Sequence, residues 1–163
     1  TVIDTMIKRF EEILSTIQKE LNIVVEEDKI DEIVTMASIV EREIIHDDER
    51  AKAASVFYNR LNVGMPLQSC ATVIYALGYH KEVLYYSDLE VDSKYNTYKY
   101  GGLPIGPIPS SGKESIKAAI NPDDTDYLYF ILNDETNYHY FFNNYKDFLK
   151  QKDVRDTTLF VKK

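Results

Sequence analysis

One segment of this 163-residue chain, residues 30–45, predicts a helix that is apolar around most of its circumference. Its apolar side chains recur at the three- and four-residue spacing of a buried helix face, and further apolar positions widen that face. The first set comprises Ile33, Met36, Ala37, Val40 and Ile44, and the second Val34, Ile39 and Ile45. A helix of this kind is typical of a domain core, so we expect the other elements to pack around it.

Two carboxylates, Glu41 and Glu43, fall within the apolar arc in the last turn of this helix. Burial against apolar neighbours raises the pKa of a carboxyl group, and a general acid at neutral pH needs such a shift. Alternatively, both carboxylates pair with Arg42, Arg50 or Lys52 and only complete the helix, since buried ion pairs also perturb pKa values. The helix alone decides neither between these interpretations nor between the two carboxylates.

The composition is that of an ordinary globular domain, with 44% hydrophobic and 28% charged residues, and the length suits one domain. A net charge of −8 without a run of Lys or Arg argues against nucleic acid as a partner. The single cysteine, Cys70, excludes an internal disulfide and a cysteine-built zinc site, and the three histidines lack metal-ligand spacing. We therefore expect neither a metal nor a cofactor. No apolar run is long enough to span a membrane, and no signal peptide is present.

The periodicities along the chain predict an α+β fold that is mostly helical, with a small antiparallel β-hairpin. We expect helices at residues 1–21, 30–45 and 72–77, a helix that runs from an N-cap at Asp47 or Asp48 to about residue 62, and a helix that runs from an N-cap at Ser111 to about residue 120. We also expect hairpin strands at 127–132 and 138–142, and a last helix capped by Asn143 or Asn144. Ser111 and Glu114 have capping-box spacing before the fifth helix. We expect one domain, with a leading segment 1–29, a core 30–150 and a tail 151–163 that ends in coil or an edge strand.

Residues 101–112 contain four glycines and three prolines, which exclude a helix or a central strand. Their apolar residues Leu103, Ile105 and Ile108 are unusual for a flexible linker. We expect a long ordered Pro/Gly loop that lies against the core and contributes to a site.

Several motifs follow one another in an order that resembles the catalytic domain of the YceG-like family, the endolytic murein transglycosylases called MltG. They are MASIVERE (36–43), AASVFYNRL (53–61), MPLQ (65–68), TVIY (72–75), YNTY (95–98), GLPIGPI (102–108) and AAINP (118–122). Spaced motifs in fixed order are far more specific than any one of them. The resemblance covers roughly residues 30–149. One departure is Cys70, where many relatives carry Asp.

The resemblance implies a lytic transglycosylase that cuts the MurNAc–GlcNAc bond of nascent peptidoglycan strands endolytically and leaves 1,6-anhydro-MurNAc ends. It implies action at the extracytoplasmic face of the cell membrane, with peptidoglycan synthases as candidate partners. A membrane anchor and a LysM-like region would precede Thr1, so this chain would be a soluble fragment that reaches the membrane only through that missing anchor.

The resemblance assigns the catalytic role to Glu43, the second Glu of a Glu-x-Glu pair, and makes Glu41 a structural or electrostatic neighbour. Protonated Glu43 would donate to the glycosidic oxygen, and its carboxylate would then accept the proton of the muramyl C6 hydroxyl as that oxygen closes onto C1. Because the nucleophile belongs to the substrate, no second carboxylate is required.

Five further residues are candidates for substrate binding. Gln68, Asn96 and Thr97 could hold the N-acetyl and hydroxyl groups of the sugars, although Asn and Thr often stabilise their own loops. Tyr95 and Tyr98 could stack on a sugar ring, with core packing as the alternative.

Three functions from other classes stay open. A non-catalytic peptidoglycan-binding or scaffold domain would also fit the 13 tyrosines. A cysteine hydrolase using Cys70 and His139 would need a base within hydrogen-bond reach of the thiol, which the sequence does not show. A pyridoxal-phosphate lyase, a label occasionally given to this family, would predict a coloured cofactor.

Overall fold

The structure is a computed structural model that describes residues 1–81, 83–154 and 161–162. Its helices are α1 (Val2–Leu21), α2 (Ile30–Glu43), α3 (Asp47–Asn62), α4 (Cys70–Leu77), α5 (Lys113–Ile120) and α6 (Tyr145–Val154), and its strands are β1 (Leu84–Tyr85), β2 (Tyr129–Leu132), β3 (His139–Phe142) and β4 (Val161–Lys162). Single 3₁₀ turns cover Glu27–Lys29 and Tyr86–Glu90. With 55% helix and a small antiparallel sheet, the predicted α+β class is confirmed.

Helix α2 lies at the centre of the fold, as its sequence predicts. Six consecutive residues, 35–40, are buried on every side, and α2 contacts α3, α4 and α5. The helix ends two residues earlier than expected, because Ile44 adopts extended backbone and Ile45 turns outward with 66% of its surface exposed. Glu43 is therefore the last helical residue, at the point where the chain leaves the core.

The N-termini of α3, α4 and α5 differ from their predictions. Helix α3 begins at Asp47, because His46, rather than Asp47 or Asp48, occupies its N-cap position. Helix α4 begins at Cys70 rather than Thr72. The capping box predicted from Ser111 and Glu114 is wrong, because Gly112 occupies the N-cap position of α5 without a side-chain cap. A carboxylate from α2, Glu41, instead accepts a hydrogen bond from the Gly112 N–H at 2.9 Å. A long-range contact thus replaces the local cap.

The described residues form two small sheets. Strands β2 and β3 make the predicted antiparallel hairpin, with Tyr129 opposite Phe142 and Leu132 opposite His139. Strand β4, inside the predicted tail, pairs in parallel with β1, which the sequence did not predict. The remainder of the expected tail strand, residues 157–160 and 163, lies outside the described residues. The division into leading segment, core and tail stays a prediction.

The Pro/Gly loop is ordered against the core, as expected. Residues 101–112 contain neither helix nor strand, Leu103 packs against the hydrophobic core, and Pro104 is buried. The Ile108 N–H donates to the buried Ser38 hydroxyl of α2 at 3.0 Å, which fixes the loop beside the end of that helix. Among the described residues, no helix combines the length and the apolar character needed to cross a bilayer.

Candidate active site

A cavity of about 570 Å³ opens beside the C-terminal end of α2. Its walls come from the end of α2, the loop before α4, the β2–β3 hairpin and α6. Most of the lining is aromatic or aliphatic, with three cations, Arg42, Arg60 and Lys152. Within the part of the chain that the structure describes, Glu43 is the one carboxylate side chain in this lining.

The Glu43 carboxylate lies against the N-terminus of α4. Its Oε1 accepts a hydrogen bond from the Ser69 hydroxyl and a longer one, 3.4 Å, from the Ala71 N–H. Ser69 is the N-cap residue of α4, yet its side chain makes no capping bond and turns to Glu43 instead. Both bonds from the described residues reach Oε1, which leaves Oε2 available to a ligand in the cavity.

A buried hydroxyl network holds Ser69 in place. The Ser69 N–H donates to the Thr97 Oγ1 at 3.0 Å, and the Thr72 hydroxyl donates to the Ser69 carbonyl at 2.7 Å. The hydroxyls of Thr72 and Thr97 are themselves hydrogen-bonded at 2.8 Å. Because every hydroxyl in this network has a partner, the orientation of the Ser69 side chain toward Glu43 is strongly determined.

Glu41, two residues before Glu43, points to a different side of α2 and bonds to the N-terminal end of α5 and to Arg50. Its Oε2 accepts hydrogen bonds from Gly112 N–H (2.9 Å), Ser115 hydroxyl (2.7 Å) and Arg50 guanidinium (3.4 Å). Burial is the largest single influence and raises its pKa, but the bonds from Ser115 and Gly112 and the charge of Arg50 outweigh burial, so the pKa of Glu41 lies below its ordinary value. Glu41 is thus an ionised structural group outside the cavity lining.

The structure places the five predicted binding residues in three different settings. Gln68 and Tyr98 line the cavity. Gln68 is exposed and has a left-handed backbone with a φ of 51°, a costly conformation that often marks a functional loop. Tyr95 does not line the cavity, and its ring packs on Tyr75 with 4.7 Å between centroids.

Asn96 and Thr97 are loop-holding residues rather than parts of the cavity wall. Asn96 is 0% exposed, donates to the carbonyls of Leu89 (2.7 Å) and Val91 (2.9 Å), and accepts from the Tyr98 N–H (3.0 Å). Thr97 is 1% exposed and belongs to the Ser69 network. A sugar could reach either side chain only by breaking these bonds, so the loop-stabilising alternative describes their placement.

The contacts of Cys70 do not form a nucleophile–base pair. Its Sγ lies 3.3 Å from the Tyr98 hydroxyl, whereas His139 Nδ1 is bonded to Glu49 at 2.9 Å. Burial and the nearby Glu43 charge raise the pKa of the Cys70 thiol to about 11, so the thiol is protonated at neutral pH. This geometry gives the cysteine-hydrolase alternative no activated thiolate.

Two residues of the site were missed by sequence reasoning. Ser69 lies between two of the motifs and belongs to neither, and only the fold reveals its bond to Glu43. Arg60 lies in one of the motifs, and its side chain donates to the carbonyls of Leu128 (2.7 Å) and Leu67 (2.8 Å). It thereby joins the start of the hairpin to the loop before α4, and both of these segments contribute to the cavity lining.

A second, smaller cavity of about 220 Å³ lies beside the first. It is lined by Arg42, Ala71, Ile74, Tyr75, Ile108 and Pro109. Arg42 is common to both cavities, so the end of α2 lies between them. Among the described residues, no three His, Cys, Asp or Glu side chains converge as metal ligands would.

The chain is similar in sequence to a known family and to several named proteins. Residues 1–154 match the model of the YceG-like family, a longer span than the motifs indicated because it includes α1. A Bacillus subtilis protein named endolytic murein transglycosylase is 47% identical over 130 residues, which cover 80% of this chain and 36% of that protein. A Streptococcus pneumoniae R6 protein of the same name is 35% identical over 157 residues, covering 90% of this chain and 28% of that protein.

The fold is also found among solved structures. A crystal structure of a yceG-like protein from Listeria monocytogenes superposes with a TM-score of 0.75 at 44% sequence identity, covering 91% of this chain and 45% of that one. The chain therefore spans about a third of the length of the curated relatives described above.

Proposed function

The chain belongs to the YceG-like family, and from this premise we propose that it carries the active site of an endolytic murein transglycosylase, the activity for which its curated relatives are named. The observation that carries this proposal is Glu43, the one carboxylate among the described residues that line the cavity of about 570 Å³. The substrate is the glycan strand of peptidoglycan, with the MurNAc–GlcNAc bond beside Glu43.

Glu43 acts first as an acid and then as a base. Its carboxyl proton passes to the glycosidic oxygen as the bond from that oxygen to C1 of MurNAc breaks. The carboxylate then takes the proton of the C6 hydroxyl of the same MurNAc, and the C6 oxygen forms a new bond to C1. The products are a free GlcNAc hydroxyl and a 1,6-anhydro-MurNAc end, and Glu43 is again protonated.

The absence of a second carboxylate from the described cavity lining supports this reaction over ordinary glycoside hydrolysis. Hydrolases of the common types place a second carboxylate about 5–9.5 Å from the acid, either as the nucleophile or as the base that activates water. Here the C6 hydroxyl supplies the nucleophile intramolecularly, so one carboxyl group suffices.

The surrounding residues position this carboxyl group and the sugar. Ser69 fixes Oε1, so that Oε2 faces the substrate. The aromatic part of the lining, which includes Tyr98, Tyr129 and Tyr145, offers flat faces for sugar rings. Gln68, with its exposed side chain and strained backbone, contacts the polar groups of the glycan. In the whole protein we place this reaction outside the cytoplasmic membrane, on strands delivered by peptidoglycan synthases.

The experiment is digestion of purified peptidoglycan with the wild-type chain, Glu43→Gln, and Glu11→Gln as a matched control on the exposed surface of α1. We expect anhydro-muropeptides from the wild type and from Glu11→Gln, and none above background from Glu43→Gln. A wild-type chain that pellets with peptidoglycan but releases no products would instead support the non-catalytic binding domain. If Glu43→Gln were active, the assignment of Glu43 as the catalytic acid would be wrong.

A further inference from the structure

Arg42 lies at the junction of the two cavities. It is exposed, it directly precedes Glu43, and it makes no ion pair or hydrogen bond with its side chain to any described residue. By contrast, Arg9 pairs with a glutamate, Arg50 with two carboxylates, and Arg60 with backbone carbonyls. Arg42 is therefore free to bind a group that comes from outside the chain.

The smaller cavity suits a short, mainly apolar substituent of the glycan better than a sugar ring. Its volume is about 220 Å³, and apart from Arg42 its lining is apolar or aromatic, with Tyr75 45% exposed. Small aliphatic groups fit such a lining, and a carboxylate would have to lie at the end where Arg42 is found. A guanidinium binds a carboxylate through two parallel hydrogen bonds, a geometry that lysine cannot reproduce.

The charge distribution favours an anionic ligand at this place. The whole chain has a net charge of −8. Nevertheless the larger cavity carries Arg42, Arg60 and Lys152, and Glu43 is its one carboxylate within the described chain. A local concentration of positive charge on an acidic protein attracts anions to the cavity.

We propose that Arg42 binds a carboxylate of the peptide stem carried by the muramyl sugar at the scissile bond, with the first residues of the stem in the smaller cavity. This rests on the proposed function. The sugars of the glycan are uncharged, and the lactyl carboxyl of MurNAc is consumed in the amide bond to the stem. The stem therefore supplies the carboxylates, after a lactyl and an alanyl methyl group that suit the apolar lining.

The test uses a synthetic GlcNAc-MurNAc disaccharide with an L-Ala-D-Glu stem, either with both stem carboxyl groups free or with both converted to primary amides. This disaccharide has no MurNAc–GlcNAc bond, so calorimetry on the wild-type chain measures binding without turnover. We expect amidation to weaken binding about five-fold, the size of a partly solvated ion pair. The preference should shrink as salt is added.

Variants assign the preference to Arg42. In Arg42→Gln the free and amidated compounds should bind equally, and Arg42→Lys should keep part of the preference because it keeps the charge. Arg9→Gln, which removes an exposed arginine from α1, should keep the whole preference. Equal binding of the two compounds to the wild type, no measurable binding of either, or an undiminished preference in Arg42→Gln would each overturn the proposal. Cleavage of peptidoglycan to anhydro ends is measured separately, so failure of the proposed function is distinguishable from failure of the Arg42 proposal.

Discussion

The separate roles of the two glutamates make a quantitative prediction for Glu41→Gln. The substitution removes the charge that accepts hydrogen bonds from Ser115, Gly112 and Arg50, while the amide oxygen of glutamine keeps a weaker acceptor in place. Arg50 has a side chain only 10% exposed and retains Asp47 at 2.8 Å. Hydrogen bonds to a charged group contribute about 1.5–3 kcal/mol. We therefore expect a loss of about 2 kcal/mol in the free energy of unfolding, which lowers Tm by roughly 4–8 °C for a chain of this size.

The pH dependence of this loss follows from the lowered pKa of Glu41. A carboxyl group whose pKa is lower in the folded state stabilises the fold above its unfolded pKa, and that contribution disappears as the pH falls through the folded value. The difference between wild type and Glu41→Gln should therefore be full near pH 7 and decline below about pH 4.

Urea denaturation at pH 7 and at acid pH measures both quantities, with Glu11→Gln as a control that should change stability by less than about 0.5 kcal/mol. At pH 7, below its Tm, Glu41→Gln should keep most of the proposed transglycosylase activity. The reasoning fails if Glu41→Gln is as stable as the wild type at pH 7, or if it loses activity as completely as Glu43→Gln while folded.

Three further substitutions test other parts of the account. Ser69→Ala removes the hydroxyl that orients Glu43. A hydrogen bond to a charged group contributes about 1.5–3 kcal/mol, so its loss should lower kcat about 10- to 100-fold. Unchanged steady-state kinetics would show that the bond is dispensable. Asn96→Ala leaves two carbonyls and one N–H without their partner, so the free energy of unfolding, measured in urea, should fall by about 3 kcal/mol. A variant that is as stable as the wild type but inactive would instead support a role for Asn96 as a sugar ligand. The Cys70 thiol has a pKa of about 11, so it should react with iodoacetamide at pH 8 far more slowly in the native than in the unfolded chain. Cys70→Ala should remain active. Rapid alkylation of the native chain, or loss of activity in Cys70→Ala, would instead support a catalytic role for the thiol.

The central helix was predictable because its apolar period is a local property of the sequence. The different roles of its two carboxylates were not predictable from that period. Glu41 and Glu43 both lie within the apolar arc, and only the packing of two other helices against α2 separates them: α5 presents its N-terminus to Glu41, and α4 presents its N-terminus to Glu43. The family motif, rather than periodicity, indicated Glu43.

The predicted binding residues show a second limit of reasoning from the sequence. Asn96 and Thr97 are polar residues in a constrained loop, and a sequence does not say whether such side chains face a ligand or their own backbone. In the structure they bond mainly to neighbouring backbone groups. The side chain that bonds to Glu43 is that of Ser69, twenty-six positions further along the chain. The capping box at Ser111 failed for a similar reason, since a distant carboxylate satisfies the backbone that a local side chain was expected to cap.

The most direct test of the account is digestion of peptidoglycan by this chain in ¹⁸O-labelled water, followed by mass spectrometry of the released fragments. If Glu43 alone serves as acid and base, the new muramyl ends are 1,6-anhydro, one water lighter than reducing ends, and contain no ¹⁸O. Reducing ends that carry ¹⁸O would mean that water is the nucleophile, and the reaction built here on a single carboxyl group would be wrong.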